Sequence, residues 1–131
     1  MMAGNIDPIY GRVYRNPRVA LTTGNNTTTG ADATLLFTAD ATNGSRLQRL
    51  LVMPVGSNVA TLLRIFIATA GANFRLLRDF PMPAYTLSAT NGAFPVDIPL
   101  PLGLAPGEQI YVQLATAVAG GIHITAEAMD F

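Results

Sequence analysis

The sequence predicts an all-β protein, an antiparallel sandwich preceded by an extended N-terminal arm. Three observations carry this expectation. Apolar stretches of roughly five to nine residues recur along the chain without helical spacing. Between them lie clusters of Gly, Pro, Asn and Thr, residues that take positive φ or bond their own backbone in turns. Towards the C-terminus, polar and apolar residues alternate with the two-residue period of a half-buried strand. With 131 residues, 50% of them hydrophobic, the chain is long enough for one core and short for two. One body is therefore expected at residues 18–131, with the arm at residues 1–17.

The arm holds Pro8, Gly11 and Pro17 together with Tyr10 and Tyr14, but no continuous apolar strip. Strands are predicted at Arg18 to Thr22, Thr34 to Ala39, Arg46 to Met53, Ala60 to Thr69, Phe74 to Asp79, Ala84 to Ser88, Phe94 to Ile98, Gln109 to Ala115 and Ile122 to Ala128. Of the intervening loops, Thr23 to Gly30 is low in complexity and expected to be mobile, and Asn43-Gly44 is the strongest tight-turn signal. Around Leu62 to Ile67 both faces are apolar except at Arg64. This predicts a central strand covered on both sides, with another subunit as a candidate for the second cover. In the next-to-last strand Ile110, Val112 and Leu114 oppose Tyr111 and Gln113. In the last, Ile122, Ile124, Ala126 and Ala128 oppose His123, Thr125, Glu127 and Met129. Pro99, Pro101 and Pro106 remove ladder donors, so Pro99 to Glu108 is expected to be a crossing loop ending in a Pro106-Gly107 turn. Regular short strands with one long crossover suggest a jelly roll or a related Greek key.

Composition narrows the function. There is no cysteine, which excludes disulfides and thiolate metal sites and fits a protein made in a reducing cytoplasm. Eight basic and eight acidic residues give a net charge of zero, without the positive excess that drives binding to phosphate backbones or anionic lipid. Neither nucleic acid nor membrane is expected as a partner. No secretory signal or membrane-spanning run is expected either. Only 12% of residues are charged, against about 25% in an ordinary soluble domain, a composition better suited to an assembled component than to a free monomer. All basic residues are arginine, namely Arg12, Arg15, Arg18, Arg46, Arg49, Arg64, Arg75 and Arg78. Codon preference explains this as well as the enrichment of arginine at interfaces does. Lysine is the usual guard on exposed sheet edges, so its absence predicts edges that are paired or covered.

Catalytic chemistry is hard to place. His123 is the lone histidine, and the acids are scattered singly. Without lysine there can be no P-loop, Schiff base or lysine base. No enzyme activity, catalytic residue, metal or cofactor is assigned, although a loop Ca²⁺ site stays open. An enzyme or sugar-binding alternative would need Tyr111, His123 and Glu127 to share a concave site. The residues favoured for a protein interface are those of the arm, Pro8, Ile9, Tyr10, Arg12, Tyr14 and Arg15. The alternative is an arm folded back on its own sandwich.

The run Leu62-Leu63-Arg64-Ile65-Phe66-Ile67, a Gly/Ala/Asn turn, Phe74-Arg75-Leu76-Leu77-Arg78-Asp79-Phe80-Pro81, Ser88-Ala89-Thr90 and the closing Ala126-Glu127-Ala128-Met129-Asp130-Phe131 together resemble a known group. They are similar to the head decoration, or cement, proteins of tailed bacteriophages, which have a jelly-roll-like body. The resemblance covers about residues 45–131. It implies homotrimers made in the host bacterial cytoplasm and seated on the capsid exterior, where they bridge subunits of the major capsid protein and resist internal DNA pressure. A phage tail, baseplate or fibre module, binding a tail protein or a host glycan, is the alternative.

Overall fold

The computed structural model describes residues 13–92 and 95–131. Its elements are all strands: β1 Val13–Arg15, β2 Arg18–Leu21, β3 Thr34–Thr38, β4 Ser45–Pro54, β5 Thr61–Thr69, β6 Ala72–Met82, β7 Val96–Leu104, β8 Glu108–Leu114 and β9 Ile122–Asp130. One sheet has the order β1-β9-β4-β7, with β2 also on β9, and the other has the order β3-β8-β5-β6. β1 and β2 run along successive parts of β9, so they act as one strand broken at Asn16-Pro17. Taken so, first pairs with last, β3 with β8, β4 with β7, and the middle two, β5 and β6, with each other, all antiparallel. Nested pairing of this kind is a long hairpin wrapped into two sheets, the jelly-roll arrangement.

Alternation puts the core where the sequence predicted it. Leu47, Leu50, Val52, Ile98, Ile122, Ile124, Ala126 and Ala128 face inward from the five-stranded sheet. Phe37, Leu63, Ile65, Ile110, Val112 and Leu114 meet them from the four-stranded one. Each larger side chain so buried contributes about 1.5–3 kcal/mol relative to exposure. Asn43-Gly44 does mark a turn, but one that carries the chain from β3 in one sheet to β4 in the other. There the Asp40 carboxylate accepts from the N–H groups of Thr42 at 3.1 Å and Asn43 at 2.8 Å, and Gly44 supplies φ 76°.

Two predicted elements are corrected. Pro99 to Leu104 is not a crossing loop; it lies within β7. Proline is tolerated there because, among the described residues, β7 pairs with β4 alone and its other edge has no ladder to supply. The turn after it is present, with Gly107 at φ 80°. Ala84 to Ser88 is not a strand. Tyr85 makes a single bridge to Asn58, and polar side chains take the remaining backbone groups: Asn91 Nδ2 donates to Thr86 O at 2.7 Å, and Ser57 Oγ accepts from Leu87 N at 2.9 Å.

The edges are guarded within the chain, by devices other than lysine. β7 carries Pro99 and Pro101, and the β1/β2 edge is broken at Pro17. β6 has a bulge at Leu77 opposite Ile65 and Phe66, flanked by Arg75 and Arg78. β3 is short and also bulged. Prolines, bulges and charged residues all discourage strand addition, so the chain carries edge guards of its own beside the pairing or covering expected from the absence of lysine.

Candidate interaction surface

Each sheet has an outer face, and the two differ. On β5, Arg64 and Phe66 point away from the inter-sheet core, yet Phe66 is 0% exposed in the isolated chain. In register beside it lie Tyr111 of β8 and Leu76 of β6. Tyr111 meets the ring of Phe74 edge-on at 4.9 Å. Across this face runs the loop between β2 and β3, the segment expected to be mobile. Gln113 Nε2 donates to the carbonyls of Asn25 and Thr27, the latter at 3.0 Å. Arg64 Nη1 donates to Asn26 Oδ1 at 2.7 Å, while its Nε lies 3.2 Å from the Asp79 carboxylate as an ion pair without hydrogen-bond alignment. Asn25 N–H donates to Leu114 O at 2.8 Å. Gly30, at φ 79°, sits where a Cβ would enter the Phe74 ring. The loop is thus a strap, and the second cover of β5 comes from this chain itself; no other subunit is needed for it.

The outer face of the five-stranded sheet has no such strap among the described residues. Its register places Arg46, Met129 and Tyr14 in one row. Arg49 and Glu127 share a second, Leu51, Thr125 and Arg18 a third, and Met53, His123 and Ala20 a fourth. Leu51 is 38% and Met53 40% exposed, and Val55 beyond the end of β4 is similarly open. At its centre Arg49 donates through Nε to Glu127 and through Nη1 to Asp97, each at 2.8 Å. The Glu127 hydrogen bond and then that of Asp97 raise its pKa above an already high ordinary value, so the group stays cationic at every pH of interest.

Of the arm residues favoured from sequence, Pro8, Ile9, Tyr10 and Arg12 lie outside the described residues. The two that are described point in different directions. Tyr14 is 81% exposed, on the outer face beside Met129. Arg15 turns inward: its Nη1 donates to Asp130 at 3.0 Å, and its guanidinium lies 5.1 Å from the centre of the Phe37 ring. Asp130 also accepts from the buried Ser45 hydroxyl at 2.6 Å. Arg15 therefore ties β1 to the end of β9 within the sandwich, while part of its side chain stays exposed.

The candidate constellation of Tyr111, His123 and Glu127 is not assembled. Tyr111 stands on the outer face of the four-stranded sheet, and the other two stand on that of the five-stranded sheet. Glu127 is moreover held by Arg49. Among the described residues, no three His, Cys, Asp or Glu side chains come close enough together to hold a metal ion. Sequence reasoning missed Leu51, Met53, Arg18 and Arg46 as surface candidates. The signal was present in Leu50-Leu51-Val52-Met53, where apolar residues on both faces of one strand leave one set outside.

No family model matches the chain, and no curated protein matches it. Among solved structures, dimeric latent PorU from Porphyromonas gingivalis is similar at 7% identity and a TM-score of 0.33. That match covers 99% of this chain but spans 14% of the other, and a likeness so weak carries no argument about function.

Proposed function

We propose that the protein is a virion structural component, a homotrimeric decoration protein that binds the major capsid protein on the outside of a tailed-phage head and needs no active site. The observation that carries the binding role is the open outer face of the five-stranded sheet. There Leu51 and Met53 stand on a rigid strand beside Met129 and Tyr14, with no lysine near them. Exposed apolar side chains grouped on one rigid face mark protein-binding surfaces more often than they occur by chance. The virion location is supported by the resemblance over residues 45–131. Jelly rolls build capsid proteins, lectins and cupins alike, so the fold is compatible with this role without selecting it. Three modest patches on one trimer would bind a repeating shell with an avidity well above that of a single patch.

The test is immunogold labelling of purified particles, together with mass measurement of the protein in solution. Label over the head and a trimer mass are expected. Label confined to the tail would transfer the binding role to a tail, baseplate or fibre module, and absence from particles would end the virion reading.

A further inference from the structure

We infer that the outer face of the five-stranded sheet docks an acidic protein surface, and that Arg18 and Arg46 read its carboxylates. This rests on the chain being an assembly component and names the chemistry of what it assembles with. The net charge of zero conceals an asymmetry in which charges are free. Among the described residues every carboxylate already has a partner in the chain. Asp130 is held by Arg15, Asp79 by Arg64, and Asp97 and Glu127 by Arg49. Asp32 accepts from Asn25, Asp40 from backbone N–H groups of its turn, and Glu108 from Ala105 N–H. Arg18, Arg46 and Arg75, by contrast, have no hydrogen bond or ion pair among the described residues.

Two of these three free cations share the open face. Arg18 lies opposite Thr125 on one side of β9, and Arg46 lies opposite Met129 on the other. Between and beside them are Leu51, Met53, Met129 and Tyr14. The two carboxylates of this face are both committed to Arg49. Such a face sets three guanidinium groups against two carboxylates, a net charge of +1, and beside its apolar middle Arg18 and Arg46 are each able to bind a carboxylate through paired N–H groups. A second copy presenting the same face would bring like charges together, which disfavours self-docking. Nucleic acid is a poorer match, since two arginines supply fewer contacts than the roughly six to ten phosphates a typical binder neutralises, and Leu51 and Met53 offer a phosphate nothing. A protein surface bearing carboxylates around an apolar centre matches both features.

The test is NMR titration of the ¹⁵N-labelled full chain with a hexaglutamate peptide, and separately with a short oligothymidylate, for the wild type and the double variant Arg18→Glu/Arg46→Glu. The expected result is peptide-induced shifts clustered on residues of β2, β4 and β9, abolished in the variant, together with at least a tenfold loss of variant occupancy on purified heads. Should the reversal disturb folding, Arg18→Gln/Arg46→Gln serves instead. Shifts centred on Arg75, an undiminished response in the variant, or a stronger response of this face to the oligonucleotide would overturn the inference. Peptide binding at this face by a protein absent from heads would sink the capsid reading alone. Unchanged head occupancy of the variant would sink the face assignment alone.

Discussion

Phe66 and Leu51 occupy comparable places, each pointing outward from a central strand of its sheet, yet Phe66 is 0% exposed and Leu51 is 38% exposed. The difference lies in what crosses above them. Over the four-stranded sheet runs a strap whose residues from Thr22 to Asp32 are Thr, Gly, Asn and Asp, with Ala31 the one apolar exception. It has almost no hydrophobic reason to adhere. It stays because its backbone carbonyls and one Asn side chain find donors in Gln113 and Arg64, polar residues set beside Phe66 and Tyr111 on that face. The outward aromatic thus lies fully buried on the face that this polar loop is tied to, next to the donors that hold the loop. The five-stranded sheet offers no equivalent arrangement: its central cation, Arg49, is taken by Glu127 and Asp97, and its apolar residues stay in contact with solvent. One face is covered from within the chain, and the other has no cover among the described residues.

The largest expected effect tests whether the strapped face is truly core. Phe66→Ala should destabilise the fold by about 3–5 kcal/mol, the usual cost of truncating a fully buried aromatic, read as a lowered urea midpoint with an unchanged slope. A cost below about 1 kcal/mol would mean that the strap does not bury this face, and the contrast between the two faces would collapse.

A smaller effect is expected at the tie holding the strap. Gln113→Ala removes the donor to the part-buried Asn25 and Thr27 carbonyls and should cost about 0.5–1.5 kcal/mol, the net worth of a typical intramolecular hydrogen bond. Hydrogen exchange locates the effect. The Asn25 amide, bonded to Leu114 O at 2.8 Å, should exchange faster in the variant, while amides of β9 keep their protection. Uniformly faster exchange across both sheets would show that the strap is part of the global fold rather than a locally opening segment.

Legibility in the sequence followed the range of the forces involved. The strands of β8 and β9 were readable because alternation is local and one face of each is core: Ile110, Val112, Ile122 and Ile124 declare their side by themselves. The class of fold followed from them. β7 was misread because proline is forbidden only where a neighbour needs its N–H, and whether Pro99 and Pro101 have such a neighbour depends on strand order, which is a long-range property. The strap was missed for the same reason. Thr23 to Gly30 looks mobile in isolation, and only the placement of Gln113 and Arg64, far along the chain, gives its carbonyls partners. The Arg15–Asp130 pair was not legible because its two members lie at opposite ends of the sequence. The open face was half visible, in that Leu51 and Met53 broke the alternation of their strand. That no described residue crosses above them could be seen only from the whole topology.

The smallest effect on stability is expected where the effect on binding should be greatest. Leu51 sits between Asp97 of β7 and Thr125 of β9, and much of its side chain is already in water. Leu51→Ala should therefore change stability by no more than about 0.5 kcal/mol, against the several expected for Phe66→Ala. Phe66→Ala removes a whole phenyl ring and Leu51→Ala only an isopropyl group, so the two costs are compared after scaling by the apolar area each change removes, and the excess at Phe66 measures what burial of that face contributes. If the open face docks on the capsid, the ordering reverses for occupancy: Leu51→Ala should weaken binding to purified heads about tenfold, since truncating a residue at the centre of a docked surface typically costs more than 1 kcal/mol. Phe66→Ala, in the fraction that remains folded, should bind as the wild type does. Equal losses of binding by both variants would show that occupancy follows stability alone, and the division of labour between the two faces would have to be abandoned.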